Sequence, residues 1–226
     1  MEKKTDAEIA EFGERLRESR LHILIHILIW TIVVYTYVTL LNKDIVYFVL
    51  ALLSVIIFIF TLTRKTSGQS LIIDSWIRLA CVIVCGIAIG SFCLIEVIVP
   101  MLIYIIAYDI FSFTRYGKNT LNAKIINNSK YLPRLLVYGR SFKTGGPVPT
   151  KGLGDYFWYS ITFSAINSTY GKAPGLFALM AIFLGVVINL ILVSKIYKYS
   201  WYKGFPATLG PLGICLILVT IIYIVR

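Results

Sequence analysis

Asp109, in Tyr108-Asp109-Ile110, and Asp155, in Gly152-Leu153-Gly154-Asp155, are the side chains best placed to do chemistry, because both are acids set inside apolar sequence. An ionisable group in such a setting is costly and persists where it has a task. Only 11 Asp and Glu occur in 226 residues. Six of them (Glu2, Asp6, Glu8, Glu11, Glu14, Glu18) precede the first apolar segment, and no acid follows Asp155. Two carboxylates that share a low-dielectric site cannot easily both ionise, so such a pair tends to hold one proton. The shared proton suits hydrolysis of a peptide bond: one carboxylate takes a proton from water while its protonated partner hydrogen-bonds to the carbonyl. No covalent intermediate, metal or cofactor is required. The sequence offers no Ser-His or Cys-His pair and no HExxH in competition.

The elements that must position these acids are membrane spans. With 58% apolar residues, 15% charged and a mean hydropathy of +0.81, the chain reads as an all-α integral membrane protein. Apolar runs long enough for ~30 Å of hydrocarbon, about 20 residues each, fall at 21–41, 45–63, 73–92, 95–114, 152–169, 174–194 and 205–225. The third and fourth are separated within Ser91–Glu96, where Glu96 favours an interface. The expected organisation is an arm over 1–20, four spans over 21–114, a basic loop over 115–151 and three spans over 152–226, a seven-helix bundle.

Charge orients the bundle. The net charge of +11 reports topology and not a nucleic-acid partner, because the basic residues cluster between apolar runs. With the N-terminus cytoplasmic, five basic residues precede the first span and three (Arg64, Lys65, Arg78) follow the second. The 115–151 loop adds eight, and Lys195, Lys198 and Lys203 lie before the last span. Only Lys43, Lys172 and Arg226 fall outside, with the C-terminus external. Asp109 then lies six residues before Arg115 and Asp155 four after Lys151. At ~1.5 Å per residue both sit roughly 6–9 Å below the cytoplasmic border, on neighbouring antiparallel spans.

Thr5 with Glu8 forms a capping-box pattern ahead of Ile9, Phe12 and Leu16, a short surface helix feeding the first span. His22 and His26 read as interfacial, and Cys81, Cys85, Cys93 and Cys215 as small core residues. Gly86 and Gly90 form a GxxxG that permits close helix packing. The loop from Arg115 to Lys151 is 37 residues long and free of acids. Leu132, Leu135 and Leu136 beside Arg134 and Arg140 suggest a stretch on the anionic membrane surface, or a plain basic linker. Gly145-Gly146-Pro147-Val148-Pro149 cannot be regular helix. Thr144 to Lys151 could pair, as an extended segment, with an unwound substrate. Gly152 and Gly154 remove side chains where a substrate backbone would approach Asp155.

In these motifs the sequence resembles the presenilin and signal peptide peptidase family of intramembrane aspartyl proteases. Tyr108-Asp109 resembles its YD motif and Gly152-Leu153-Gly154-Asp155 its GLGD motif. Pro206-Ala207-Thr208-Leu209 resembles its PAL motif, with Thr208 where leucine is usual. The resemblance covers residues 95–226, and the earlier spans by count and direction. It implies that the seven spans correspond to the last seven of the nine usual in the family. It further implies a catalytic dyad of Asp109 and Asp155, and a site shaped by Tyr108, Gly152, Leu153, Gly154, Pro206, Ala207 and Leu209. The substrates implied are transmembrane segments within the lipid bilayer, and the location is a multi-pass protein of the cell membrane. Three alternatives stay open: a prepilin-type GxGD peptidase, a small cation- or proton-coupled transporter, and two interfacial salt-bridge partners for Arg115 and Lys151.

Overall fold

The computed structural model describes residues 6–40, 45–64, 67–114, 116–126, 128, 131–197 and 206–225. Its helices are α1 (Asp6–Leu40), α2 (Ile45–Thr63), α3 (Gln69–Phe92), α4 (Ile95–Ser112), the short α5 (Leu121–Ile126), α6 (Leu153–Tyr170), α7 (Lys172–Ile196) and α8 (Leu209–Val225). Two strands, β1 (Leu136–Arg140) and β2 (Pro147–Gly152), precede α6. Five helices are long and apolar enough to cross a membrane: α1 over Gly13–Val38, α2, α3, α4 and α7. α8, at 17 residues, is shorter. α6 is an 18-residue helix that carries Ser160, Thr162, Ser164, Asn167, Ser168 and Thr169 among its apolar residues.

That polarity has a structural use, because α6 stands at the centre of the bundle with α3, α7, α4, α8 and α1 around it. Its hydroxyls serve as interhelical hydrogen-bonding groups, which small polar residues do well inside apolar bundles. Ser160 Oγ accepts from Trp30 Nε1 of α1 at 2.9 Å, and Ser164 Oγ donates to the Ile87 carbonyl of α3 at 2.9 Å. Gly86 and Gly90 bring α3 onto α6 as their spacing predicts. A Cβ on Gly86 would lie 2.7 Å from Ser160 Cβ and 2.8 Å from the Phe157 carbonyl, and one on Gly90 would collide with the Ile161 backbone. The break between α3 and α4 falls at Cys93 and Leu94, both extended, and Glu96 lies exposed in the first turn of α4. The exterior of α2 is apolar, with Phe48, Leu52, Ile56 and Phe60 outward, a surface suited to lipid.

The structure corrects several expectations. Residues from Asp6 onward do not form a separate surface helix but run unbroken into the first apolar segment as α1; Thr5 of the capping-box pattern lies outside the described residues. His22 and His26 are buried rather than interfacial, at 6% and 1% exposure. His22 stacks on Phe142, and His26 Nδ1 lies 3.2 Å from Thr150 Oγ1. The 132–136 stretch is not a plain linker. Leu132–Arg134 makes a 3₁₀ turn that leads into β1, which pairs antiparallel with β2. The base of this hairpin is tied inward: fully buried Arg78 donates to the Arg134 carbonyl, and Arg134 Nη1 donates to the Leu62 carbonyl at 2.8 Å. The β1 strand lies on α3, with the Tyr138 amide donating to Ser75 Oγ at 3.1 Å. Gly145, at φ +68°, supplies the left-handed turn residue between the strands. Pro147 and Pro149 suit β2, an edge strand, and Ser19 Oγ of α1 donates to the Pro149 carbonyl at 2.9 Å.

Candidate active site

Asp109 lies in the last turn of α4 and is buried, at 9% exposure. Its Oδ2 accepts two hydrogen bonds from a single residue, Thr208: one from the backbone amide at 3.2 Å and one from Oγ1 at 2.7 Å. Thr208 immediately precedes α8, in a segment held from two directions. Asn189 Nδ2 of α7 donates to the Ala207 carbonyl at 2.9 Å and to that of Pro206 at 3.5 Å, and the Tyr159 hydroxyl of α6 donates to the Ala207 carbonyl at 3.2 Å. Close contact of α7 with α8 makes this possible. A Cβ on Gly185 would collide with Pro211, and one on Gly210 with Asn189.

Asp155 lies in the first turn of α6, three residues past the N-cap Gly152, where a carboxylate meets the positive end of the helix dipole. It is half-buried and turned back toward Gly152, on which a Cβ would sit 3.3 Å from Asp155 Oδ2. The start of α6 is fixed by the hairpin. Gly152 pairs with Leu136, and the Leu153 amide donates to the Leu135 carbonyl at 2.9 Å. The chain therefore passes from strand to helix without a loop, which sets the direction of Asp155. Asp109 and Asp155 lie within electrostatic reach of each other.

A third charge belongs to this cluster. Lys151, on β2, is buried at 8% exposure, with Nζ 4.8 Å from the centre of the Tyr159 ring. Burial pushes its ammonium below the ordinary lysine range, and the nearby Asp155 and Asp109 carboxylates pull it back part of the way. It is not the exposed interfacial partner that its place in the sequence suggests.

The other sequence-derived site residues divide by role. Gly154 is exposed and a Cβ there would meet nothing within 4 Å, so the face of α6 beside Asp155 is open. Leu153 is core, at 2% exposure. Pro206 and Ala207 act through their carbonyls, and half-buried Leu209 begins α8. Tyr108 is directed elsewhere: its hydroxyl accepts from the Leu121 amide at 3.0 Å and its ring stacks on Tyr104, so it anchors the start of the loop. Thr208, Lys151, Tyr159 and Asn189 are the site residues that sequence reasoning missed. Of these, Thr208 carried a signal as the departure from the third motif, and Lys151 as a possible salt-bridge partner four residues before Asp155. Among the described residues no group of three His, Cys, Asp or Glu is arranged to hold a metal ion. A scan against protein-family models and searches of curated proteins and of solved structures each find no match.

Proposed function

We propose that this chain is an intramembrane-cleaving aspartyl protease of the presenilin and signal peptide peptidase kind, with Asp109 and Asp155 as its dyad. The observation that carries this reading is the convergence of the three motifs. Asp109 is bonded to Thr208, 99 residues away, while Asp155 is held within its electrostatic reach by the β2–α6 junction. In this reading α6 and α8 also cross the bilayer, giving seven spans with a cytoplasmic N-terminus, in the cell membrane.

The reaction uses one proton shared by two carboxylates. The ionised aspartate accepts a proton from water as its oxygen bonds to the scissile carbonyl carbon, and the protonated aspartate gives its proton to the carbonyl oxygen. Collapse of the resulting diol breaks the C–N bond, with a proton delivered to the leaving amine. The dyad ends with one proton, as it began. The substrate, a transmembrane segment, must be locally unwound, because helical hydrogen bonds shield its carbonyls. β2 leads directly into Asp155, and a cleft of about 670 Å³ runs between its Pro147–Pro149 stretch and Glu18–Ser19 of α1. An unwound substrate lying along β2 would present its peptide bonds toward the dyad.

Purified protein in detergent, given a transmembrane peptide, tests the proposal. Asp109→Asn and Asp155→Asn are each expected to lower the cleavage rate by about 10²–10⁴-fold, the range for loss of a general acid or base. Cleavage by either variant at the wild-type rate rules the mechanism out.

A further inference from the structure

We infer that Lys151 is a positioning residue of the dyad, whose buried ammonium serves as the fixed counter-charge that keeps Asp109 and Asp155 sharing one proton. The inference rests on the protease reading. Lys151 is buried, at 8% exposure, and its Nζ lies over the Tyr159 ring. A buried ammonium is expensive unless opposite charge or an aromatic face compensates it, and both are present here. Tyr159 also donates to the Ala207 carbonyl, next to the Thr208 that bonds Asp109. One aromatic ring thus joins the lysine to the segment that holds the first aspartate.

The charge balance gives the lysine its function. A dyad with one proton carries a single negative charge, which the ammonium cancels. Without the ammonium the same low-dielectric site would carry an uncompensated charge, and the dyad would be drawn to take up a second proton. A doubly protonated dyad has no base with which to activate water. The surrounding titratable groups are Asp155, Tyr156 and Tyr159 from α6, Asp109 from α4 and Cys215 from α8, with His26 of α1 against the neighbouring Thr150. Among the described residues of this group no other lysine or arginine occurs.

The test measures kcat and KM for cleavage of a transmembrane peptide by the full-length protein, from about pH 5 to about pH 9, in wild type, Lys151→Met, Lys151→Gln and Lys151→Arg. Both uncharged variants are expected to lose at least about tenfold in kcat at neutral pH, with KM within about threefold and the whole pH profile moved up by about one unit. Lys151→Arg is expected to restore the wild-type profile. Two uncharged substitutions of different packing guard against misfolding of one, and thermal unfolding checks each. An unmoved profile in both, or equal losses in the uncharged and arginine variants without a displacement, overturns the inference and leaves a packing role. If wild type cleaves, Asp109→Asn does not and Lys151→Met behaves as wild type, only the role of Lys151 falls. Failure of wild type to cleave removes the protease reading, and this one with it.

Discussion

At the scale of single residues the site turns on Thr208. Its amide and hydroxyl meet the same carboxylate oxygen of Asp109, whereas leucine at this position could supply only the amide. Hydrogen bonds to charged groups contribute about 1.5–3 kcal/mol. Thr208→Val, which keeps the shape and loses the hydroxyl, is therefore expected to slow cleavage by roughly 10–150-fold, while Thr208→Ser stays near wild type; steady-state kinetics on a transmembrane peptide decide it. Asp109, Asp155 and the glycines beside Asp155 were legible in the sequence, because an acid or a glycine in an apolar run is conspicuous locally. Thr208 was not, since its significance lies in a partner distant in the chain, and Lys151 was read only as an interfacial ion-pair partner. A threonine among apolar residues looks ordinary until the carboxylate it faces is known. A lysine ahead of a span looks interfacial until its burial is seen.

At the scale of elements, the position of the second aspartate is set by contacts on two sides of α6. On one side is the hairpin, joined through the Leu135–Leu153 hydrogen bond; on the other is α3, admitted by Gly86 and Gly90. Gly90→Val would drive side-chain atoms into the Ile161 backbone and is expected to cost about 1–3 kcal/mol, the range for overpacking. Gly154→Ala, which meets nothing within 4 Å, serves as the control; thermal unfolding in detergent compares the two. The Gly86–Gly90 contact and the α3–α4 break were readable because each depends on short-range spacing. The hairpin was readable only in part. Gly145 to Pro149 excluded helix, but the pairing partner Leu136–Arg140 is a short apolar-basic stretch whose pattern also fits a membrane-surface segment. Strand pairing is a non-local fact, and here it overrode the local pattern.

At the scale of the whole molecule, a helix rich in hydroxyls, α6, stands at the centre of the bundle. Ser160 and Ser164 of α6 turn their hydroxyls to α1 and α3 and not to solvent, so apolar character alone leaves α6 out of the five membrane-length helices, while α8 is left out by its length of 17 residues. The proposed seven-span topology puts Arg226 outside and the 115–151 segment inside. A reporter fused after Arg226 that is active only outside the cell is expected to be active, and the same reporter inserted near Tyr116 silent; the opposite pattern refutes the orientation. The distribution of basic residues is the basis of this proposed orientation, whereas the central placement of α6 needed the packed structure. One detail of the hairpin bears on how its edge could pair with other strands. Pro147 and Pro149, two apart on β2, direct their ring nitrogens to one edge of the strand, the edge that the Ser19 hydroxyl marks at the Pro149 carbonyl. That edge has no donors at these two positions, and one of its carbonyls, that of Pro149, already accepts from Ser19. Two copies of it set side by side would bring ring against ring and leave carbonyls unanswered, while a guest strand brings amides of its own. In the proposed protease such an edge would accept an unwound guest strand yet resist sheet growth between neighbouring molecules.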